Sequence, residues 1–181
     1  EIDRKTAGLL CSAIISDTLL FRSPTCTPVD RAAAEAVAKI AQINLEELAS
    51  QMFAAGSKLK GKSDAEIFYQ DFKRFSAGKI SFGVGQITSL NADELEKLKK
   101  RMLSYMEKAR AEEQVDVMFF MLTNILTEST DLLCVGQGAV QMVSEAFHVE
   151  AADEKTPVIA LPGVVSRKKQ LVPGLMVALE Q

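Results

Sequence analysis

Histidine is almost missing from this sequence: His148 is the only one in 181 residues. A metal centre built on several imidazoles therefore cannot be assembled from these residues alone. His148 stands beside Val149 and Glu150, outside any His-His or Asp-X-Asp setting, and reads as a structural or exposed side chain. Cysteine is nearly as sparse. Cys11, Cys26 and Cys134 show neither metal-ligand nor redox spacing, and their odd number suits free thiols in a reducing cytoplasm. An excess of one charge is also lacking. Lys and Arg total 21 and Asp and Glu 24, giving −3, so no global field recruits nucleic acid or an acidic membrane surface. Any anion binding must come from a local basic cluster. No apolar run reaches the roughly 20 residues needed to cross a bilayer. The segment from Ala7 to Phe21 is interrupted by Ser12, Ser16 and Asp17 and has no signal-peptide architecture. Internal repeats and low-complexity tracts are absent. What is present is 48% hydrophobic and 25% charged, the composition of a globular protein with a buried core.

The pattern along the chain changes once. Thr6 to Ser16 reads as a helix, with Leu9, Leu10, Ala13 and Ile14 spaced as its apolar face. Thr27-Pro28 is a helix start, with Thr as N-cap and Pro in the first turn. Asn44 caps another helix, and Glu46 and Glu47 suit the positive end of its dipole. Ser57 to Ser63 is polar, basic and glycine-bearing, which predicts a linker. Beyond it, strands alternate with helices. Phe72–Phe75 and Ile80–Leu90 are expected to pair as a hairpin turning at Ser76-Ala77-Gly78. Asn91 caps a long charged helix over Ala92–Glu113. Strands at Val115–Leu126, Leu132–Val135 and Pro157–Leu161, with a helix over Gly138–Phe147, argue an α/β sandwich.

Three motifs bear chemistry. Ser166-Arg167-Lys168-Lys169-Gln170 places three cations at a predicted helix start, where the dipole should repel them. That cost makes sense if an anion sits there, met by backbone N–H groups and side chains together. A solvated basic turn is the plainer alternative. In Asp71-Phe72-Lys73-Arg74-Phe75, strand alternation puts Lys73 and Phe75 on one side, so Lys73 is expected along a partly buried wall with its ammonium in a cleft; an ordinary snorkelling lysine is the alternative. Asp17, after Ile14-Ile15, is a carboxylate that burial would penalise unless a cation or metal pairs with it. A simple helix-end cap would also account for it.

Taken in order, Ile15-Ser16-Asp17-Thr18-Leu19-Leu20-Phe21-Arg22-Ser23-Pro24-Thr25, Asp71-Phe72-Lys73, Gly85-Gln86-Ile87 and Gly163-Val164-Val165-Ser166-Arg167-Lys168-Lys169-Gln170 resemble the family II (manganese-dependent) inorganic pyrophosphatases of the DHH phosphoesterase superfamily. The resemblance covers essentially the whole chain. It implies that residues 1–55 are the last helices of a DHH domain, 56–62 the interdomain linker, and 63–181 an α/β substrate-binding domain with a mixed β-sheet flanked by helices. By the same resemblance Lys73, Arg167 and Lys168 bind pyrophosphate and Asp17 is a metal ligand. The dinuclear Mn2+ or Co2+ centre would lie mostly outside these residues, with Mg2+ accompanying the substrate. The implied reaction is metal-assisted hydrolysis of pyrophosphate to two phosphates, in a homodimeric cytoplasmic enzyme whose hinge closes on its substrate.

The histidines and further aspartates of that metal centre have no counterpart here. With Glu1 standing in place of a starting Met, this leads us to expect a piece of a longer enzyme, inactive by itself. An exopolyphosphatase-like DHH phosphoesterase is an alternative reading, and a non-catalytic anion-binding regulatory domain another. The oligonucleotide-cleaving relatives carry a Gly-Gly-Gly-His signature that is absent here. One spatial expectation follows: Lys73, Arg167 and Lys168 should meet around one phosphate-sized hollow.

Overall fold

The structure is a computed structural model that describes residues 2–56, 59, 61–150 and 157–179. Two compact units divide it, Glu1–Lys58 and Leu59–Gln181. Ser57, Lys58 and Lys60, which carry much of the expected linker, lie outside the described residues.

The first unit is helical: α1 (Arg4–Thr18), α2 (Pro28–Ala41) and α3 (Leu45–Gly56). Thr27 opens α2 with a reciprocal cap. Its hydroxyl accepts from the Asp30 amide, and the Asp30 carboxylate accepts from the Thr27 amide, satisfying two otherwise orphaned donors. The Asn44 side chain accepts from the Glu47 amide at the start of α3, as expected. The packed face of α1 differs from expectation. Ala7, Cys11, Ile15 and Thr18 are buried, against Val37, Ala38, Ala41 and Ala49, whereas Leu9 is 68% and Leu10 42% exposed. The helix is apolar around most of its girth, so spacing alone selects no face.

The second unit is a five-stranded mixed sheet in the order β1-β2-β3-β4-β5: β1 (Phe72–Ala77), β2 (Ile80–Ser89), β3 (Val117–Asn124), β4 (Ser129–Val135) and β5 (Val158–Pro162). Only β2 and β3 are parallel, joined by the crossover helix α5 (Ala92–Glu113). The hairpin of β1 and β2 is present, but β1 runs on through Ala77 to pair with Ile80, so the turn is Gly78-Lys79. Gly78 holds φ +57° there, a conformation that costs glycine little.

Each face of the sheet carries its own core. On one, α4 (Asp64–Phe68) and α5 cover Met118, Phe120, Leu122, Leu133 and Val135. On the other, α6 (Ala139–Phe147) and α7 (Val172–Leu179) cover Phe82, Val84, Phe119, Met121, Leu132 and Cys134. A strand covered on both sides reads as a continuous apolar run, which is how Val117–Leu122 is written. Gly85 is a close-approach position. A Cβ there would meet Phe120 Cδ2 at 2.5 Å and the Phe68 carbonyl at 3.2 Å. The stacked Phe68 and Phe120 rings, 5.3 Å apart, sit against this bare stretch of β2.

Candidate anion-binding site

The site in the second unit is built around the segment that follows β5. Ser166 caps a five-residue π-turn, Arg167–Leu171, that leads into α7. Its carbonyl accepts from the Gln170 and Leu171 amides at 3.0 and 3.1 Å, and its hydroxyl from the Lys169 amide at 3.2 Å. The Gln170 side chain ties the preceding loop together. Its oxygen accepts from the Val165 and Ser166 amides, and its NH2 donates to the Gly163 carbonyl at 2.6 Å.

Below that loop lies a polar chain on the α6/α7 face of the sheet. Gln86 Nε2 donates to Thr123 Oγ1 and to the Val165 carbonyl, both at 3.2 Å. Thr123 and Thr130, a cross-strand pair, share a hydroxyl contact of 2.9 Å, and Thr130 donates to the Val164 carbonyl at 2.6 Å. Both threonines are fully buried, so each of these bonds satisfies a group that would otherwise be expensive. The chain fixes the backbone immediately before Arg167.

Arg167 is itself buried, at 8% exposure. Its Nη1 donates to the Asp71 carbonyl at 2.7 Å and to the Val84 carbonyl at 3.2 Å. Its Nη2 donates to the Asp71 carboxylate at 2.6 Å. The three cations at a helix start are thus only partly at odds with the dipole, because one is neutralised by an acid 96 positions away.

Val84 is also the direct cross-strand partner of Lys73. Lys73 follows the alternation that sends Phe75 into the α6/α7 core and Phe72 into the other. Arg167 thus bonds to the carbonyl of the residue paired with Lys73, and Lys168 follows it in the chain. Lys73 is exposed and not sunk along a wall as its sequence neighbours suggested; β1 is an edge strand, open beyond its outer side. Lys168 is exposed as well. Among the described residues neither ammonium has an ion-pair partner. Arg74, on the opposite face, reaches Glu113 of α5 at 3.7 Å.

Asp17 lies in the first unit, in the last turn of α1, and is exposed. The burial cost inferred from its apolar neighbours does not arise, since Ile15 faces the core and Asp17, two residues on, faces away. The turn after α1 is unusual: Leu19, Leu20 and Phe21 all hold left-handed φ of 49°, 51° and 67°, a conformation costing about 1–2 kcal/mol per non-glycine residue. The turn is held by bonds from the Leu20 amide to the Ile15 carbonyl, the Ser23 amide to the Thr18 carbonyl, and the Phe21 amide to the Thr18 hydroxyl. The Thr25 hydroxyl closes it on the Asp17 carbonyl. Among the described residues no three His, Cys, Asp or Glu side chains gather as metal ligands. One exposed carboxylate does not make a dinuclear site, and the described residues alone do not fit one. His148 is exposed at the end of α6. No helix among the described residues is long and apolar enough to cross a membrane.

Sequence reasoning missed Asp71, Gln86, Thr123, Thr130 and Gln170 as the residues that hold the basic segment. Asp71, Gln86 and Gln170 lay inside the motifs, but nothing local marks their partners.

Comparison with known proteins places the chain in a family. The DHHA2 domain model matches residues 50–178, from within α3 to within α7. The chain is 43% identical over 180 residues to a protein of Clostridium acetobutylicum named "Probable manganese-dependent inorganic pyrophosphatase", covering 99% of this chain and 57% of that one. It is 45% identical over 172 residues to a cobalt-dependent inorganic pyrophosphatase of Clostridium perfringens, covering 95% of this chain and 31% of that one. A solved structure titled "Crystal structure of Methanococcus jannaschii putative family II inorganic pyrophosphatase" matches with a TM-score of 0.85 at 37% identity, covering all of this chain and 57% of the other. The chain thus spans little more than half the length of such relatives, or less. With a matched model that takes in every strand of the sheet and the Arg167 segment, the chain belongs to the DHHA2 domain family.

Proposed function

We propose that this chain is the carboxy-terminal part of a manganese- or cobalt-dependent inorganic pyrophosphatase and supplies the groups that grip pyrophosphate. The observation that carries the proposal is the Arg167–Val84–Lys73 arrangement. A buried guanidinium bonds to the carbonyl of the residue directly across from Lys73, and the exposed Lys168 comes next in the chain. Names carried by relatives over nearly all of this chain's length support the substrate.

In this reading residues 1–55 are the end of a DHH domain, 56–62 the hinge, and 63–181 the substrate domain. Asp17 contributes one ligand to a Mn2+ or Co2+ centre whose remaining ligands lie in the part of the relatives that this chain does not span. Mg2+ accompanies the substrate. The exposed Leu9 and Leu10 face of α1 is what an apolar helix lacking a partner presents. The same reading carries a homodimer, a cytoplasmic setting and no nucleic-acid or membrane partner.

Chemically, Lys73 and Lys168 act as point charges that offset phosphate oxygens, while the arginine plane offers directed donors. Each charge-assisted bond contributes about 1.5–3 kcal/mol, so its loss weakens binding by roughly ten- to a hundredfold. The test is calorimetric titration of the purified 181-residue chain with pyrophosphate. Binding that falls by about those factors in Lys73→Ala and Lys168→Ala supports the proposal. Equal binding by wild type and both variants would refute it. The chain alone is expected to release no appreciable phosphate with Mn2+; robust release would contradict the assignment as a part.

A further inference from the structure

We infer that Asp71 is a positioning residue: it locks Arg167 so that one particular pair of its N–H groups is left for an anion. The inference rests on the reading of this site as an anion site and adds what aims its arginine.

A guanidinium has five N–H donors in a fixed plane. Nη1 spends both of its hydrogens, on the Asp71 and Val84 carbonyls. Nη2 spends one, on the Asp71 carboxylate. Because Nη1 and Nη2 reach the same residue, they use the fork they share at the end of the group. The donors left over are Nε–H and the second Nη2–H. In a planar guanidinium these two are parallel and lie along one side, the arrangement that meets two oxygens of a phosphate at once. Three bonds to the protein fix the plane before any ligand arrives, so little rotamer entropy remains to be lost on binding. The side chain keeps 9% of its surface open, and the anion would approach there.

Asp71 pairs a buried charge while standing half exposed itself, its side chain 51% open beside Arg167 at 9%. The carboxylate therefore sits where an incoming anion would feel it. Two effects then oppose each other. By Coulomb's law alone, deleting a carboxylate beside an anion site tightens binding. If Asp71 aims the fork, deleting it weakens binding despite the relief of repulsion.

The experiment uses the 15N-labelled 181-residue chain. The Arg167 Nη–Hη resonances are identified by their loss in Arg167→Lys, and pyrophosphate is the titrant. In Asp71→Ala we expect solvent exchange of the Nη2 proton that Asp71 holds to quicken at least about tenfold and pyrophosphate affinity to fall about tenfold or more, the lower end of losing one charged bond. In Asp71→Asn the amide oxygen still accepts from Nη2. Exchange should stay slow and affinity should equal or exceed that of wild type. This variant also guards against an Ala variant that fails to fold.

Unchanged exchange in Asp71→Ala, or an affinity that rises there, overturns the inference. So does an Asn variant that loses both slow exchange and affinity. If exchange behaves as expected but the wild-type chain does not bind pyrophosphate, the positioning of Arg167 by Asp71 stands and the reading of the site as a pyrophosphate site falls.

Discussion

Replacing Thr130 by valine tests whether the polar chain beneath the basic segment is what holds it. The order of donors can be worked out. Thr130 spends its only hydrogen on the Val164 carbonyl at 2.6 Å, so at the 2.9 Å contact Thr123 donates to Thr130. Thr123 in turn accepts from Gln86. Valine keeps the shape but strands two groups, the Thr123 hydroxyl proton and the Val164 carbonyl. Each stranded buried group costs about 1–3 kcal/mol, so the variant should lose about 2–6 kcal/mol. At a urea slope of about 2 kcal/mol/M, the midpoint should fall by about 1–3 M. The chain has no tryptophan, but both tyrosines, Tyr69 and Tyr105, lie in the second unit. Tyrosine fluorescence therefore reports unfolding of the relevant part. Thr130→Ser, which keeps the hydroxyl and removes one methyl, should cost only about 1 kcal/mol. If the valine variant lies within about 0.5 kcal/mol of wild type, a shift typical of an inconsequential surface change, the chain of hydroxyls is not holding the loop.

The same geometry has other consequences. Arg167→Ala should lower both stability and pyrophosphate affinity, because it breaks three partly buried bonds, whereas Lys73→Ala should leave the melting temperature unchanged; equal melting points for the two would contradict the burial of Arg167. Gly85→Ala should destabilise by about 1–3 kcal/mol through overpacking against Phe120, read from the urea midpoint, with no change counting against the close approach. Burial, and then Glu113, push the Tyr69 phenol up to about 12, and burial raises Tyr105 also. A pKa raised on folding means the contribution is complete below the ordinary value near 10 and disappears as pH climbs towards 12. Absorbance at high pH should therefore show no tyrosine ionising at the ordinary value in the folded chain, with stability falling across that window.

How much of this was legible in the sequence depended on how local the cause was. The helix over Ala92–Glu113 was readable because Asn91 marks its start, where its side chain accepts from the Asp93 and Glu94 amides, and charged residues run along its length. The β1 and β2 hairpin was readable from its alternation and its glycine. The short helix Asp64–Phe68 went unread, although Ser63 and Glu66 form a reciprocal cap at its start. Five residues are too few for a periodic pattern to stand out beside a polar linker. The packed face of α1 was misread because a helix apolar all round carries no preferred side. The motifs around Lys73 and Arg167 could be picked out as basic segments, but their partners could not. The bond from Arg167 to Asp71 spans 96 positions and that from Gln86 to Val165 spans 79, and no spacing rule connects such residues before the sheet is assembled.

The kinds of cation at the site are set by where each one sits. Arg167 is buried, and a buried charge persists only when its donors are met. A guanidinium can meet three protein acceptors and keep two parallel donors in reserve, whereas an ammonium has three donors in all and would keep none. Lysine at 167 would therefore have to choose between its anchor and an anion. Lys73 and Lys168 are exposed and, among the described residues, have no ion-pair partner, so a compact charge suits them and a rigid fork would add little. Arg167→Lys should accordingly lose affinity for pyrophosphate about as much as Arg167→Ala, while Lys168→Arg should keep most of it, measured by calorimetry on the folded variants. A lysine that replaces Arg167 without loss would mean that the side-on pair of donors is not what the anion meets.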